Sequence, residues 1–261
     1  MCSDTIMKLI KLANNLINLV RARRWIFSLQ TTMSHSIIYL LLVPNTAKNI
    51  LLLAVLLFYQ TALLSYVFLL NSLTDKKIDC AVGKSFALEK FPNWFVYFVL
   101  VATGLVTIAI PLYFNPVAQY IGIISFLLAT FYSANPLRLK TKGVAGILVA
   151  GFSTSLPFLF FVSIIGENPL LGIFIFGVLF LRHLAGELLH QIEDYENDKK
   201  TETRTLAVRI GKDKTKKLTK AIITFYSAYV FLSLLFGLEG IVLLLVILLF
   251  SIHQIVWAHN W

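Results

Sequence analysis

The alternation of long apolar runs with short basic loops leaves this chain one kind of fold. Eight mostly apolar runs occupy residues 25–42, 50–70, 91–112, 117–132, 144–165, 170–189, 221–236 and 240–257. Each is close to the length that crosses a bilayer as a helix, about 20 residues. Breakers separate the runs where outward turns are needed: Pro44 and Asn45, Pro111 and Pro116, residues 166–169 and residues 237–240. Composition agrees, since 58% of the 261 residues are hydrophobic and 14% charged, where a soluble domain carries about 25% charged residues. The pattern reads as an all-α membrane protein of about eight transmembrane helices, forming a single domain over residues 1–261. A disordered tail, a collagen-like fibre and a disulfide scaffold are excluded. Cys2 and Cys80 stand far apart in the sequence and flank no metal-ligand spacing.

The net charge of +10 has its simplest source in loops facing an anionic membrane surface; no motif for reading nucleic acid accompanies it. Lys8, Lys11, Arg21, Arg23 and Arg24 lie in the first 24 residues, which read as an amphipathic surface helix. Lys76, Lys77, Lys84 and Lys90 follow the second run, Arg138, Lys140 and Lys142 the fourth, and nine more lie between Lys199 and Lys220. With an even number of spans all of these fall on one side, leaving Lys48 opposite and Arg182 within a span. The positive-inside rule then places both termini in the cytoplasm. No secretory cleavage pattern or organelle-type targeting segment is seen, which favours the plasma membrane of a bacterium or archaeon.

Most acidic residues gather in two clusters at the cytoplasmic ends of the second and sixth runs. Asn71, Asp75 and Asp79 form an i, i+4, i+8 stripe, and Asp194 and Asp198 repeat the spacing, with Glu187, His190 and Gln191 one turn back. Carboxylates about 6 Å apart repel by about 3 kcal/mol at an effective dielectric of 20, so two facing pairs call for a cation. Oxygen donors without paired Cys or His select a hard ion such as Mg2+, which takes one or two carboxylates and completes its shell with water and phosphate oxygens. A single acidic cluster at a helix end is ordinarily a solvated cap; two with matching spacing on the same side point to a site. Glu193, Glu196 and Glu202 read as solvated surface. Leaving the fourth run, Asn135 and Pro136 end the helix, and Tyr132, Arg138 and Lys140 follow the pattern of a basic anchor or of a diphosphate clamp. The chemistry suggested is a lipid diphosphate held at the membrane boundary.

These residues together resemble the UbiA superfamily of intramembrane prenyltransferases. The resemblance rests on Asn71, Asp75 and Asp79, on Tyr132 through Pro136 to Lys140, and on Asp194 and Asp198 followed by the stretch from Arg204 to Gly211. It implies a bundle with a cytoplasmic-side acidic site and short cap helices around a central cavity. It implies binding of a prenyl diphosphate through Mg2+ and transfer of the prenyl group to a small aromatic or lipid acceptor. Asp75, Asp79, Asp194 and Asp198 would be the catalytic metal ligands, with Asn71 assisting. Arg138 and Lys140 would contact diphosphate, Tyr132 would orient it or shield the cation, and Arg24 would be a further diphosphate contact. Lys84 stands in for an arginine that many members carry after the first motif, and Gln191 occupies a position that is aspartate in some. His190 and Glu187 are candidates for acceptor contact or proton removal, with hydrogen bonding between helices as their structural reading. The same site fits two other chemistries, a terpene cyclase and a lipid-phosphate phosphoribosyl transferase. A non-catalytic lipid-binding protein or a transporter fits less well, because these acids lie at one membrane edge. No protein partner is evident.

Overall fold

A chain lying in hydrocarbon must satisfy its backbone polar groups internally, and helices do this within one segment. The computed structural model describes residues 2–43, 46–81 and 87–235, and every regular element among them is helical. Ten α-helices follow in order: α1 (Cys2–Leu19), α2 (Ala22–Leu42), α3 (Thr46–Ala81), α4 (Asn93–Leu112), α5 (Pro116–Ser133), α6 (Val144–Ile165), α7 (Pro169–Glu193), α8 (Tyr195–Lys200), α9 (Leu206–Ile210) and α10 (Lys212–Leu235). Single 3-10 turns at Ala87–Lys90 and Leu139–Thr141 complete the described chain.

Two of the outward turns show how the breakers work. Pro116 and Pro169 open α5 and α7 at positions where a backbone N–H has no helical partner. The preceding asparagines cap the same helices: Asn115 Oδ1 accepts from Ala118 N at 2.9 Å and Asn168 Oδ1 from Leu171 N at 3.2 Å.

Five helical segments among the described residues are long and apolar enough to cross a membrane: 50–78, 93–112, 116–133, 144–165 and 169–193. They match the second to sixth expected runs. The first and seventh runs form helices but fall short of this test, for different reasons. α2 carries Thr31, Thr32, His35 and Ser36, all buried. Gln60 Nε2 of α3 donates to Thr32 Oγ1 at 2.8 Å, and Ser36 Oγ donates back to Thr32 O at the same distance. Its polar stripe is thus taken up by back-bonding along α2 and by one contact from α3, which a hydropathy test cannot see. α10 begins with a lysine-rich turn, from Lys212 to Lys220, before its apolar half. The eighth run, 240–257, lies outside the described residues.

Helices α5, α6 and α7 pack consecutively, α10 lies on α7, and α3 packs against α2, α4 and α5. The main core joins Tyr39 of α2, Leu56, Tyr59 and Leu63 of α3, Phe158, Phe160 and Phe161 of α6, and Ile175 and Leu179 of α7. Outward-facing positions are equally apolar: Trp94 is 70% exposed, Leu105 62% and Leu170 78%. Large apolar surfaces of this kind on spanning helices face lipid rather than water. Hydroxyls within the spans are turned back on the helix, as Thr107 Oγ1 to Thr103 O and Ser125 Oγ to Ile121 O, each at 2.8 Å. Helix α1 lies apart from the bundle centre. Leu19 packs with Leu69, Leu88 and Val96, while Met7, Ile10 and Leu12 stay exposed.

Candidate functional site

The lysine-rich end of the bundle opens into a cavity of about 550 Å3. One wall is the continuation of α3 beyond its apolar stretch. Because α3 runs unbroken to Ala81, Asn71 and Asp75 stand one turn apart on a single stripe. The opposite wall is the end of α7, where Glu187 and Gln191 are likewise one turn apart. Asp194 is both the last cap of α7 and the residue before α8. The Asp194–Asp198 spacing therefore spans a helix junction instead of one continuous helix, and Asp198 N donates to Asp194 O at 2.8 Å across it.

A third element closes the space between the two walls. After α5 ends, Arg138 takes a left-handed backbone conformation, φ 38°, and the Leu139–Thr141 turn brings Lys140 back over α3. Arg138 Nη2 donates to Asp75 Oδ1 at 2.6 Å, and Lys140 Nζ donates to Asp75 Oδ2 and, at 2.7 Å, to Asn71 Oδ1. Ser133 Oγ also donates to Asn71 Oδ1, at 2.9 Å. Two cations thus hold one largely buried carboxylate.

The turn sits where it does because α6 has no side chain there. A Cβ on Gly146 would meet the carbonyl oxygen of Leu139 at 2.7 Å and the backbone of Lys140 at 3.0 Å. Gly146→Ala is expected to push the Lys140 turn off α6 while leaving the bundle folded. A misplacement on the order of 1 Å costs about 10²-fold in positioned chemistry. The check is the affinity of the purified variant for a soluble diphosphate, measured by calorimetry beside an unchanged melting temperature.

On the other wall, Tyr132 OH of α5 donates to Glu187 Oε1 at 2.9 Å, and Gln191 Nε2 donates to the same oxygen at 3.0 Å. Gln191 Oε1 in turn accepts from Ala207 N of α9 at 3.3 Å. Thr205 Oγ1 donates to Asp198 Oδ2 at 3.1 Å, tying α8 to the start of α9. Tyr132 is therefore a cavity residue and not a member of a lipid-facing belt.

Of the residues picked out by sequence, Asn71, Asp75, Tyr132, Arg138, Lys140, His190, Gln191, Asp194 and Asp198 all line this cavity. His190 does so from the rim, with its side chain 69% exposed and Nδ1 3.3 Å from Glu193 Oε2. The side chains of Asp79 and Arg24, and all of Lys84, lie outside the described residues. Glu193, expected as solvated surface, is exposed and also borders the cavity, its Oε2 3.3 Å from His190 Nδ1. Sequence reasoning passed over Arg21, which also lines the cavity and whose Nη1 lies 3.4 Å from Ser72 Oγ. Its left-handed backbone at the α1–α2 junction, φ 54°, sends it there, and nothing in the apolar periodicity marks that bend. Thr205 belongs to the stretch from Arg204 to Gly211, but its bond to Asp198 runs through a loop and is not marked by any spacing.

The donor chemistry fits Mg2+. Among the described residues no group of three or more His, Cys, Asp or Glu is placed to hold a metal ion by itself. Asn71 and Asp75 on one wall and Asp194 and Asp198 on the other offer hard oxygens only. An ion that takes one or two carboxylates and fills its shell with water and phosphate oxygens is suited to such a set.

The family model for UbiA prenyltransferases matches residues 31–261. The chain belongs to the UbiA prenyltransferase family. It is an integral membrane protein with the UbiA fold, which solved structures also share. A UbiA homologue from Archaeoglobus fulgidus bound to GPP and Mg2+ superposes with a TM-score of 0.75 at 17% identity, over 94% of this chain and 86% of that one. The same homologue bound to DMAPP and Mg2+ gives 0.74 at 16% identity, with the same coverage. Among curated UbiA relatives, digeranylgeranylglyceryl phosphate synthase of Methanoregula boonei is 34% identical over 122 residues, 46% of this chain and 43% of that protein. The synthase of the same name from Korarchaeum cryptofilum is 29% identical over 156 residues, 58% of this chain and 55% of that protein. The chain thus spans about half the length of the curated relatives it matches.

Proposed function

We propose that this chain is a Mg2+-dependent intramembrane prenyltransferase, a single domain that moves a prenyl group from its diphosphate to a hydroxyl of a glycerol-phosphate lipid. The observation that carries this reading is the pairing in one cavity of Asp75 beneath Arg138 and Lys140 with Asp194 and Asp198 across from them. Val67 and Phe68 line the same cavity and offer an apolar wall to the first isoprene units. Membership of the family, and the two curated relatives' names, support the donor and acceptor classes.

Asn71, Asp75, Asp79, Asp194 and Asp198 would hold the metal, whose charge stabilises the departing diphosphate when bound. Arg138 and Lys140 grip diphosphate oxygens and offset the negative charge that grows as the allylic C–O bond breaks. In doing so they leave Asp75, whose oxygens become free for coordination. His190 and Gln191, which also line the cavity, are assigned to contact with the substrates. The lysine-rich end faces the cytoplasm in this reading, in the plasma membrane of a bacterium or archaeon.

The acceptor is tested by supplying detergent-purified protein with Mg2+ and geranylgeranyl diphosphate. It would be offered, in parallel, a geranylgeranyl glycerol phosphate, a hydroxylated aromatic acid, and no acceptor. Mass spectrometry is expected to show a gain of one prenyl unit on the glycerol-phosphate lipid. Prenylation of the aromatic acid alone would overturn the acceptor class, and a hydrocarbon formed without acceptor would make the protein a cyclase.

A further inference from the structure

The geometry points to Glu187 as the group that takes the proton from the acceptor hydroxyl, an assignment that rests on the transferase reading. Transfer to a hydroxyl has a requirement that metal and diphosphate contacts leave unmet. As the acceptor oxygen forms its bond to the allylic carbon and the C–O bond to diphosphate breaks with its electron pair, the hydroxyl proton must go to a base.

The carboxylates lining the cavity are not equivalent candidates. Asp75 is held by Arg138 and Lys140, and Asp194 and Asp198 stand at the α7–α8 junction beside the mouth. Glu193 faces the exposed ring of His190. Glu187 lies deeper, seven residues before Asp194 on α7, which is about 10 Å along a helix axis. That is the direction in which the prenyl carbon must lie from its diphosphate if the tail enters the apolar bundle. Among the described residues no lysine or arginine pairs with Glu187, and both donors that reach it, Tyr132 OH and Gln191 Nε2, converge on Oε1. Oε2 receives no donor from the described residues, while the side chain borders the cavity. The two bonds to Oε1 fix the carboxylate, and Gln191 is itself fixed by Ala207 N. Glu187 therefore has one oxygen anchored and one left to accept a proton, which then returns to solvent through the mouth.

The test is Glu187→Gln. The amide oxygen still accepts from Tyr132 and Gln191, but the side chain can take no proton. The rate of prenyl transfer is expected to fall by about 10²-fold or more, while calorimetric affinity for geranyl diphosphate with Mg2+ stays within about twofold of the wild type, a difference worth less than 0.5 kcal/mol. An acceptor bearing a thiol in place of the hydroxyl, already partly ionised, is expected to regain most of the lost rate with the variant. Transfer to the hydroxyl acceptor at near wild-type rate would overturn the assignment. Loss of diphosphate affinity would overturn it too, placing Glu187 in the binding of donor or metal. If the wild-type protein itself transfers no prenyl group to any acceptor, the transferase reading fails, a result separate from either of these.

Discussion

Asp75→Asn is expected to abolish Mg2+-dependent diphosphate release, with a loss of about 10³-fold or more, comparable to removing a principal charge-stabilising group from an active site. The substitution keeps the shape of the side chain and an oxygen for one hydrogen bond. It removes the charge that Arg138 and Lys140 now share. Two cations would then face each other across a neutral amide in a largely buried site, where mutual repulsion is poorly screened. Their affinity for a multiply charged anion should persist or rise, while metal capture fails. Calorimetry is expected to show diphosphate binding without Mg2+ and loss of its enhancement by Mg2+. Equal Mg2+ dependence in the variant and the wild type would remove Asp75 from the proposed site.

Lys140→Gln is expected to act in the opposite sense on the two ligands. Lys140 Nζ occupies Asp75 Oδ2 and Asn71 Oδ1, which are the oxygens a metal on that wall would use. Without the ammonium group the competition and the like charge are both removed, so Mg2+ binding in the absence of substrate should tighten. The prenyl diphosphate loses a charge-assisted contact at the same time, and the rate of transfer should fall by about 10²-fold. A variant in which Mg2+ and diphosphate affinities fall together would show that Lys140 supports the fold of the Leu139–Thr141 turn and makes no direct contact.

Much of this arrangement was legible in the sequence, because a membrane chain has few ways to tolerate charge. Asn71, Asp75, Asp194 and Asp198 stood out since carboxylates at span ends are rare and these carried helical spacing. Tyr132, Arg138 and Lys140 stood out because Pro136 ends a span just before two cations. What the sequence hid lies where position depends on a bend or on contact between distant helices. Arg21 enters the cavity through a left-handed residue at the α1–α2 junction, and apolar periodicity carries no sign of it. The bond from Gln60 of α3 to Thr32 within the buried polar stripe of α2 joins positions far apart in the sequence, and no local pattern announces it. The bond from Thr205 to Asp198 crosses a loop whose course no periodicity describes.

On this reading one cavity, built around Asp75 and its two cations, ionises a prenyl diphosphate and delivers the prenyl group to an acceptor. The most direct test is the release of inorganic diphosphate from geranylgeranyl diphosphate by the detergent-purified protein, with and without Mg2+. It would be run beside the Asp75→Asn protein, with a lipid extract as acceptor source. Release is expected to need both Mg2+ and Asp75 and to be matched, mole for mole, by lipid one prenyl unit heavier. Release that persists in the Asp75→Asn protein, or no release with the wild type at any prenyl chain length, would contradict this reading.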